Sequence, residues 1–487
     1  MGIVLRQGMK NTIFTYLGFL IGGIYTVLLV PKVFDEFPDH WGTARYLVSF
    51  ALVIVPWAQL SIPNVIIRYF PIFREKKGRD FMFFISFWAI IGILTSLLIV
   101  YGFSDFIFAD EKDPLILDNI YLIFPIIAGF VLFEIAAAIA KSNLKSTVPV
   151  FLREFILRLS IFILIIFYWF DIIEFNLFIQ LYSYTYIAIF IALFVYLYYI
   201  KALKIRINFS AIFDTEFKEL YIYAAFSILS TGAAMILLNI DTLMINHYLT
   251  LKDVAIYGPS IYIASSIMIP SRALQSIIAP MVAKSWVNND IGLIKSLYKK
   301  SAIAPLSITI FLFLMIWINI DLVMDYFGKT FGQGKYIILF LSMGHIVNIA
   351  TGINGTIINT SKHYRADLYF QVALVLMTVI MNIIFIPLYG LNGAALATGI
   401  TLGLHNTLKS MFVLYKFKIH PFTIKTIYVM LIGALLFYII NQLPIIENLL
   451  ISSLIYTFVF GFVYWAIVYF ANISEDINDQ INRFIKK

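Results

Sequence analysis

The sequence predicts an all-α polytopic membrane protein with about fourteen transmembrane helices. Its 487 residues are 61% hydrophobic and 13% charged, and their mean hydropathy is +0.91. Soluble domains are about 45–50% apolar and about 25% charged, so no aqueous core would bury this much apolar surface. Continuous apolar runs of about 20 residues recur along the chain, which is the length that a helix needs to cross the hydrocarbon. Transmembrane β-strands would instead show alternation over about ten residues.

The apolar runs define fourteen spans whose ends are set to within a few residues. They lie near residues 12–33, 43–66, 80–103, 117–139, 149–170, 174–200, 219–246, 254–283, 301–320, 336–359, 366–387, 391–415, 423–442 and 448–471. The first run is too long for the apolar part of a signal peptide and lacks a small-residue cleavage site. We therefore expect it to be retained as span 1.

Several functional classes lack their sequence signatures. The chain has no cysteine, so it has no disulfide, no thiolate metal site and no cysteine nucleophile. We find no HExxH, GxSxG or P-loop motif. The connections between spans are too short to hold a soluble catalytic domain. We expect a protein that is not an enzyme and that has no catalytic residue, cofactor or metal.

The basic residues lie mostly in alternate connections. The connections on the side of the N-terminus hold 27 Lys and Arg residues, and those on the opposite side hold six. The positive-inside rule then places both termini in the cytoplasm. The net charge of +8 is therefore an orientation signal and a contact with the membrane lipids of the inner leaflet. It does not indicate nucleic-acid binding.

Two distant segments have matching residues at matching spacing. Each copy has an aromatic residue before its glycine and a cation nine residues after its glutamine. The match makes span 2 equivalent to span 8. Because an even number of helices separates equivalent points, the two halves have the same orientation in the membrane. Such parallel repeats occur in transporters; chance similarity between apolar segments is the alternative. The matched positions, 216 residues apart, are Gly42 with Gly258, Gln59 with Gln275 and Arg68 with Lys284.

Longer stretches carry a family resemblance. The segments "RQGMKNTIFTYLGFLIGGIYTVLLVPKVF", "WGTARYLVSFALVIVPWAQLSIPNVIIRYFPIFR", "YGPSIYIASSIMIPSRALQSIIAPMVAKSW" and "IPLYGLNGAALATGI" resemble Wzx-type polysaccharide flippases. These belong to the MOP superfamily, with MurJ-type lipid II flippases and MATE exporters. The resemblance implies two six-helix lobes around a central cavity, working by alternating access. The N-terminal lobe would be residues 1–215 and the C-terminal lobe residues 216–420, with two more spans and a cytoplasmic tail in residues 421–487.

The resemblance also implies a substrate and a location. The substrate would be a polyprenyl-diphosphate-linked oligosaccharide, moved from the cytoplasmic to the outer leaflet of a bacterial cytoplasmic membrane. Burying its charges and hydroxyls in hydrocarbon costs several kcal/mol for each group, so it needs a polar path. Other glycan-assembly proteins would be further partners.

Charged residues inside spans are costly, so each is a functional hypothesis. Arg272 lies deep in span 8 between Pro270 and Pro280. We expect its planar guanidinium to bind the diphosphate, and a structural partner is the alternative. For Arg158 in span 5, a structural role in an ion pair and a functional role in binding have equal weight. Its expected partners are Glu154, one turn back, or Glu134 on span 4. Arg45, at the outer mouth of span 2, is expected to anchor the interface or to line the exit path.

Three residues are weaker candidates for cation coupling. Asp241 lies in "LLNIDTLMINHYL", where a carboxylate beside Asn and His residues would bind a cation or form an outer hydrogen-bonding cluster. Glu134 and the mid-span His345 are the others. The alternative for Glu134 is pairing with Arg158 or a position near the interface, and the alternative for His345 is a bond to a neighbouring helix. Lys409 is expected to extend its ammonium to the cytoplasmic interface.

Two other functions compete with flipping. A MATE-like cation-coupled exporter would share the fold but is expected to carry a deep acidic residue, and span 1 has none. A membrane glycan polymerase, ligase or glycosyltransferase would need a large outer loop or an acidic catalytic motif. A scaffold that does not transport is a third possibility.

The orientation can be tested by cysteine labelling, because the natural chain has no background thiol. Cysteines placed at Lys77, Lys295 and Lys416 should react with an impermeant reagent only from the cytoplasmic side. Those placed at Asp110 and Lys329 should react only from outside. Labelling of position 77 from outside would reverse the assigned orientation.

Overall fold

The computed structural model consists of helices and connecting turns, with no β-strand in the residues that it describes. Those residues are 2–74, 77–104, 108, 111, 113–203, 207–213, 217–443, 449–474, 477–479 and 482. The predicted all-α fold is confirmed, as expected where each backbone group must find its partner within its own helix. The predictions that fall outside the described residues concern Asp110 and the basic residues Lys76, Lys112, Lys204, Arg206, Arg483, Lys486 and Lys487.

The chain divides into two compact units, Met1–Ala255 and Ile256–Lys487. Unit 1 contains α1 (Gly2–Gly23), α2 (Val30–Val33), α3 (Pro38–Ala58), α4 (Ile62–Phe73), α5 (Gly78–Gly102), α6 (Pro114–Asn119), α7 (Ile123–Ser142), α8 (Thr147–Val150), α9 (Leu157–Trp169), α10 (Phe175–Tyr199) and α11 (Lys218–Tyr248). The π-helices Ile24–Leu29 and Phe151–Ile156 join α1 to α2 and α8 to α9.

The boundary between the units falls within α12 (Leu251–Ser266). Unit 2 continues with α13 (Ile269–Val287), α14 (Ile291–Ile318), α15 (Ile320–Phe331), α16 (Lys335–Ala350), α17 (Asn354–Thr360), α18 (Arg365–Tyr389), α19 (Leu391–Phe417), α20 (Ile424–Ile440) and α21 (Leu449–Phe470). Helix α11 belongs to unit 1 because it packs along α3. The lobe boundaries expected from the repeat, at residues 215–216 and 420–421, stay a prediction.

Each of the fourteen predicted spans coincides with helical residues, but the count of fourteen is not confirmed. Among the described residues, nine helices are long and apolar enough to cross a membrane, or eleven if two bent pairs each form one span. Three predicted spans fall outside this count for different reasons. Span 5 carries the charged residues Arg153, Glu154 and Arg158, polar residues lower the hydropathy of α19, and α20 is only 17 residues long.

Helix α15 is an element that the sequence analysis placed in a connection. Its Ile320, Met324 and Phe327 are buried and lie on one face of the helix. Gly328 has φ 76°, a left-handed conformation that glycine adopts without steric cost. The helix is amphipathic and only 12 residues long, so a search for long apolar runs does not find it.

Both units contain a helix that breaks and restarts at an Ile-Pro pair. In unit 1, α3 ends, Leu60 and Ser61 adopt left-handed φ values of 48° and 54°, and α4 begins at Ile62. In unit 2, α12 ends and α13 begins at Ile269, with a bend of 55° between the two helices. Proline fits the first turn of a helix because that turn needs no internal N–H donor.

The two breaks do not follow the spacing of the predicted repeat, and the register of the repeat stays a prediction. Gln59 caps the end of α3, whereas Gln275 lies inside α13, beyond the break of its own unit. The two restarts, Ile62 and Ile269, are 207 positions apart, and the predicted match was 216. The spacing of proline and glutamine did not predict where α12 ends. The reason is that α3, which precedes the break in unit 1, is longer than α12.

Small residues allow two helices of unit 2 to approach closely. A Cβ added to Gly344 of α16 would lie 2.7 Å from the Cα of Gly399 of α19. A Cβ added to Gly399 would lie 2.5 Å from the carbonyl oxygen of Phe340. The "GAALATGITLG" segment of span 12 therefore serves tight helix packing, as glycine does between membrane helices.

Substitution of Gly344 by alanine should force α16 and α19 apart. We expect Gly344→Ala to cost about 1–3 kcal/mol, the usual cost of overpacking, and to lower the thermal unfolding midpoint of the purified protein. The matched control is Gly403→Ala on α19, the facing helix of the same pair, whose Cβ would lie 3.7 Å from a Val347 methyl, an ordinary contact. Equal midpoints for the two variants would contradict the packing argument.

Candidate functional site

Two arginines and three tyrosines lie close together inside unit 1. The Tyr25 hydroxyl, on the first π-helix, is within electrostatic range of both Arg158 and Arg45. Arg45 is also within electrostatic range of Tyr182 and Tyr186, whose side chains are buried on α10. The site candidates Arg45 and Arg158 are thus brought to one tyrosine cluster by α3, α9 and α10. Such a cluster offers positive charge and hydroxyl donors to an anion.

Arg158 is the paired member of this cluster. Its Nη2 lies 3.1 Å from Glu154 Oε2, one helical turn back, which was one of its two expected partners. The other expected partner, Glu134, is bound instead by Arg153 Nη1 at 2.5 Å. Arg153 also approaches Glu154 at 3.7 Å, so four side chains form a chain of alternating charges. The π-helix carries both Arg153 and Glu154, and the sequence did not indicate it.

Arg45 differs from Arg158 in having no carboxylate within salt-bridge distance among the described residues. Its side chain is half-buried, and α3 carries it into the tyrosine cluster. A cation in this environment lacks full hydration and lacks a counter-ion, which is costly unless an anion is present.

Arg272 in unit 2 is likewise without a carboxylate partner in the described part of the chain. It is exposed and lies in the first turn of α13, next to the break. Its neighbour Ser271 is buried and accepts a hydrogen bond of 3.2 Å from Gln275 Nε2. His345, on α16, is within electrostatic range of Arg272. The structure thus brings together two of the predicted site residues.

The alternative role of His345, a bond to a neighbouring helix, is not made by its Nδ1 in the described residues. Its Nδ1 is buried and has no hydrogen-bond partner among the described residues. A neutral imidazole with an unused nitrogen beside a guanidinium can accept or release a proton when an anion arrives or leaves.

Two asparagines near Asp241 donate hydrogen bonds to other partners. Asp241 is buried on α11, but Asn239 donates to the backbone of its own helix and Asn246 donates to Glu111 Oε2 at 2.7 Å. No group of three or more His, Asp or Glu side chains suited to a metal occurs in the residues that the structure describes. Cation coupling through Asp241 stays a prediction.

A buried ion pair in unit 2 was missed from the sequence. Lys409 Nζ lies 2.8 Å from Asp367 Oδ1, and the Lys409 side chain is only 5% exposed. The expectation that Lys409 extends to the interface is therefore wrong, because α18 presents a carboxylate to it. Nothing in the described residues donates a well-directed hydrogen bond to that carboxylate oxygen, so charge attraction holds the pair.

Further polar groups surround this pair at the same end of α19. Asn354 Nδ2 donates to the Asn406 carbonyl at 3.1 Å, and Tyr298 and Ser410 share a hydrogen bond of 3.3 Å. The residues are distant in sequence, so periodicity within one helix did not reveal the cluster.

The described helices are those of a multi-pass membrane protein, and its fold is similar to that of solved MOP-superfamily transporters. A solved structure of lipid II flippase MurJ in an inward closed conformation matches 96% of this chain and 100% of its own, with TM-score 0.67 and 17% identity. An inward-facing MATE multidrug transporter matches 88% of this chain and 98% of its own, with TM-score 0.61 and 11% identity.

In sequence, the chain is similar to the probable low-salt glycan biosynthesis flippase Agl15 of Haloferax volcanii. The identity is 25% over 206 residues, which are 41% of this chain and 44% of that relative. The match thus spans less than half of the curated relative. No protein-family model matches the chain. The resemblance stated from the sequence is confirmed, and these similar proteins are transporters rather than enzymes.

Breaking the buried ion pair should destabilise unit 2. We expect Lys409→Met to cost about 3 kcal/mol, because it leaves the Asp367 carboxylate buried without its cation. Adding Asp367→Asn should recover most of this loss, since neither charge then remains. The measurement is the thermal unfolding midpoint in detergent, with the exposed Lys416→Met as control. A double variant no more stable than Lys409→Met would contradict the pairing.

Proposed function

We propose that the protein is a flippase that moves a polyprenyl-diphosphate-linked oligosaccharide from the cytoplasmic to the outer leaflet by alternating access. The observation that carries the proposal is the exposed Arg272 without a carboxylate partner in the described residues, at the break of a membrane helix. The sequence similarity to a probable glycan biosynthesis flippase supports the same cargo class. The proposed setting is a cell-surface polysaccharide pathway in a bacterial cytoplasmic membrane, with both termini in the cytoplasm.

The chemistry of the cargo explains why arginine suits this role. A diphosphate diester carries about two negative charges at neutral pH, and a planar guanidinium presents paired N–H donors to its oxygens. Arg272 would bind the diphosphate in unit 2, and Arg45 with its tyrosine cluster would bind a second anionic or hydroxyl-rich part in unit 1. Arg158 would act less directly, because Glu154 already compensates its charge. The lipid tail would remain in the hydrocarbon, where it costs nothing.

The energy source would be an ion gradient, the membrane potential or consumption of the glycan, since the sequence has no ATP-binding motif. His345 is the best-placed proton carrier in this proposal, because its imidazole lies within electrostatic range of the Arg272 guanidinium. Asp241 is the candidate for a bound cation. Glu134 is the weakest candidate for coupling, because its carboxylate is occupied by Arg153.

A MATE-like exporter of small cations is the rival that shares the fold. Arg45 and Arg272 argue against it, because neither has a carboxylate partner in the described residues and each would repel a cationic drug where it would hold an anionic lipid. A glycan polymerase, ligase or glycosyltransferase is disfavoured by the transporter fold. The partners in the proposal are the lipid-linked oligosaccharide, membrane lipids and other glycan-assembly proteins.

The test of Arg272 uses protein reconstituted in liposomes with a lipid-linked oligosaccharide. The fraction of substrate that becomes accessible to an external glycosidase reports flipping. Arg272→Ala should lose at least about tenfold in rate, because one tenfold step corresponds to about 1.4 kcal/mol and a charged hydrogen bond contributes about 1.5–3 kcal/mol. Arg272→Lys should retain part of the rate, since it keeps the charge and loses the planar donors.

The matched control is Arg365→Ala, which removes an exposed arginine from the first turn of another helix in the same unit. It should flip at the wild-type rate. Uptake of a cationic dye in the same liposomes tests the MATE-like rival. A folded Arg272→Ala protein that flips as fast as wild type would remove Arg272 from the binding site, and wild-type dye uptake without flipping would favour the exporter.

A further inference from the structure

A basic cavity of about 230 Å³ lies in unit 2, where the first part of α14, the start of α20 and the segment after α21 meet. Three lysines and three hydroxyl side chains line it above an apolar floor. They are Lys299, Lys300, Lys425, Ser296, Thr423 and Ser474. None of these residues takes part in the proposed binding of the transported substrate.

The lysines of the basic cavity converge from separate helices. Lys299 is half-buried on α14, and Lys425 is half-buried in the first turn of α20. Neither forms an ion pair with a carboxylate in the described part of the chain. Lys300 lies at the exposed rim of the cavity.

The start of α20 adds positive potential to the basic cavity. Thr423 caps the helix by accepting a hydrogen bond from Thr426 N, which leaves other first-turn N–H groups without an intrahelical acceptor. The helix macrodipole places partial positive charge at this end, so a lysine there is electrostatically unfavourable by itself. Lys425 and Lys299 therefore raise the free energy of the empty cavity, and a bound anion would relieve it.

The predicted span ends that border the basic cavity place it at the level of the lipid head groups. Lys299 and Lys300 come just before predicted span 9, Lys425 comes at the start of span 13, and Ser474 follows span 14. These span ends all belong to one face of the membrane, whichever way the chain is oriented. Beside the cavity, α20 exposes a stripe of large apolar side chains, including Ile427 and Leu431, along which acyl chains can lie.

We propose that the basic cavity binds the phosphate head group of an anionic membrane lipid. Lysine ammonium groups are compact point charges that suit a phosphodiester, and the three hydroxyls can donate to its remaining oxygens. Basic pockets between transmembrane helices are a recurrent form of site for anionic lipid head groups. The apolar floor and the neighbouring lipid-facing stripe favour a lipid over free phosphate. The bound lipid would tie α14 to α20 and to the segment after α21.

The test measures lipid binding by the full-length protein in neutral detergent. Native mass spectrometry gives the dissociation constants for phosphatidylglycerol, for zwitterionic phosphatidylcholine and for inorganic phosphate. We expect wild type to bind phosphatidylglycerol at least about tenfold more tightly than phosphatidylcholine. Lys299→Gln with Lys425→Gln should weaken phosphatidylglycerol binding by about tenfold or more, and Lys299→Arg with Lys425→Arg should retain it.

The matched control pair is Lys295→Gln with Lys416→Gln, which removes the same charge from exposed positions that do not line the cavity. This pair should change the dissociation constant by less than about twofold. An equal loss in both pairs would mean that overall surface charge attracts the lipid, and it would overturn the site.

Two further outcomes would also overturn the proposal. One is the absence of any preference for phosphatidylglycerol in wild type. The other is binding of inorganic phosphate that depends on Lys299 and Lys425 without binding of phosphatidylglycerol. Lipid binding is measured without transport, so its result is independent of the flipping assay.

Discussion

Hydrocarbon offers no hydrogen bonds and little screening, so each polar group inside the membrane must find its partner within the protein. That constraint accounts for the continuous helices of both units. It also gives meaning to the charges within them. Glu134 with Arg153 and Asp367 with Lys409 satisfy the constraint internally, at 2.5 and 2.8 Å. Arg45 and Arg272 have no carboxylate partner among the described residues. In the proposed function, an anionic cargo would supply the missing counter-charge.

The irregular parts of the helices coincide with the polar groups of interest. Tyr25 and Glu154 lie on π-helices, which rarely persist without a functional or packing reason. Arg272 follows the break between α12 and α13. An ideal helix would direct these side chains elsewhere and would leave fewer backbone groups free to bond. The strained backbone of Leu60 and Ser61 marks the corresponding break in unit 1. In each unit, departure from a regular helix accompanies the place where ligand chemistry is proposed.

The two kinds of lysine in unit 2 show how position changes the role of one side chain. Lys409 is buried and neutralised by Asp367, so its contribution is to packing and stability. Lys299 and Lys425 lie at span ends beside a cavity, where water and lipid head groups are within reach. The same ammonium group is a structural element in one place and, in the proposal, a lipid-binding element in the other. Burial and the nearest carboxylate decide between these roles.

Composition and apolar periodicity by themselves determined the all-α membrane fold, the approximate limits of the helices and the charge asymmetry between connections. The reason is that these properties depend on local sequence and on transfer into lipid. Motif order determined the resemblance to MOP flippases. Only the tertiary structure decided which ion pairs form. Arg158 pairs with Glu154, Glu134 pairs with Arg153, and Asp367 pairs with the buried Lys409. It also decided where α12 breaks and that Thr423 and Lys425 border one cavity with Lys299. These contacts join residues that are far apart in the chain, or they depend on an irregular helix that changes the direction of the side chains. The periodicity of a single regular helix predicts neither.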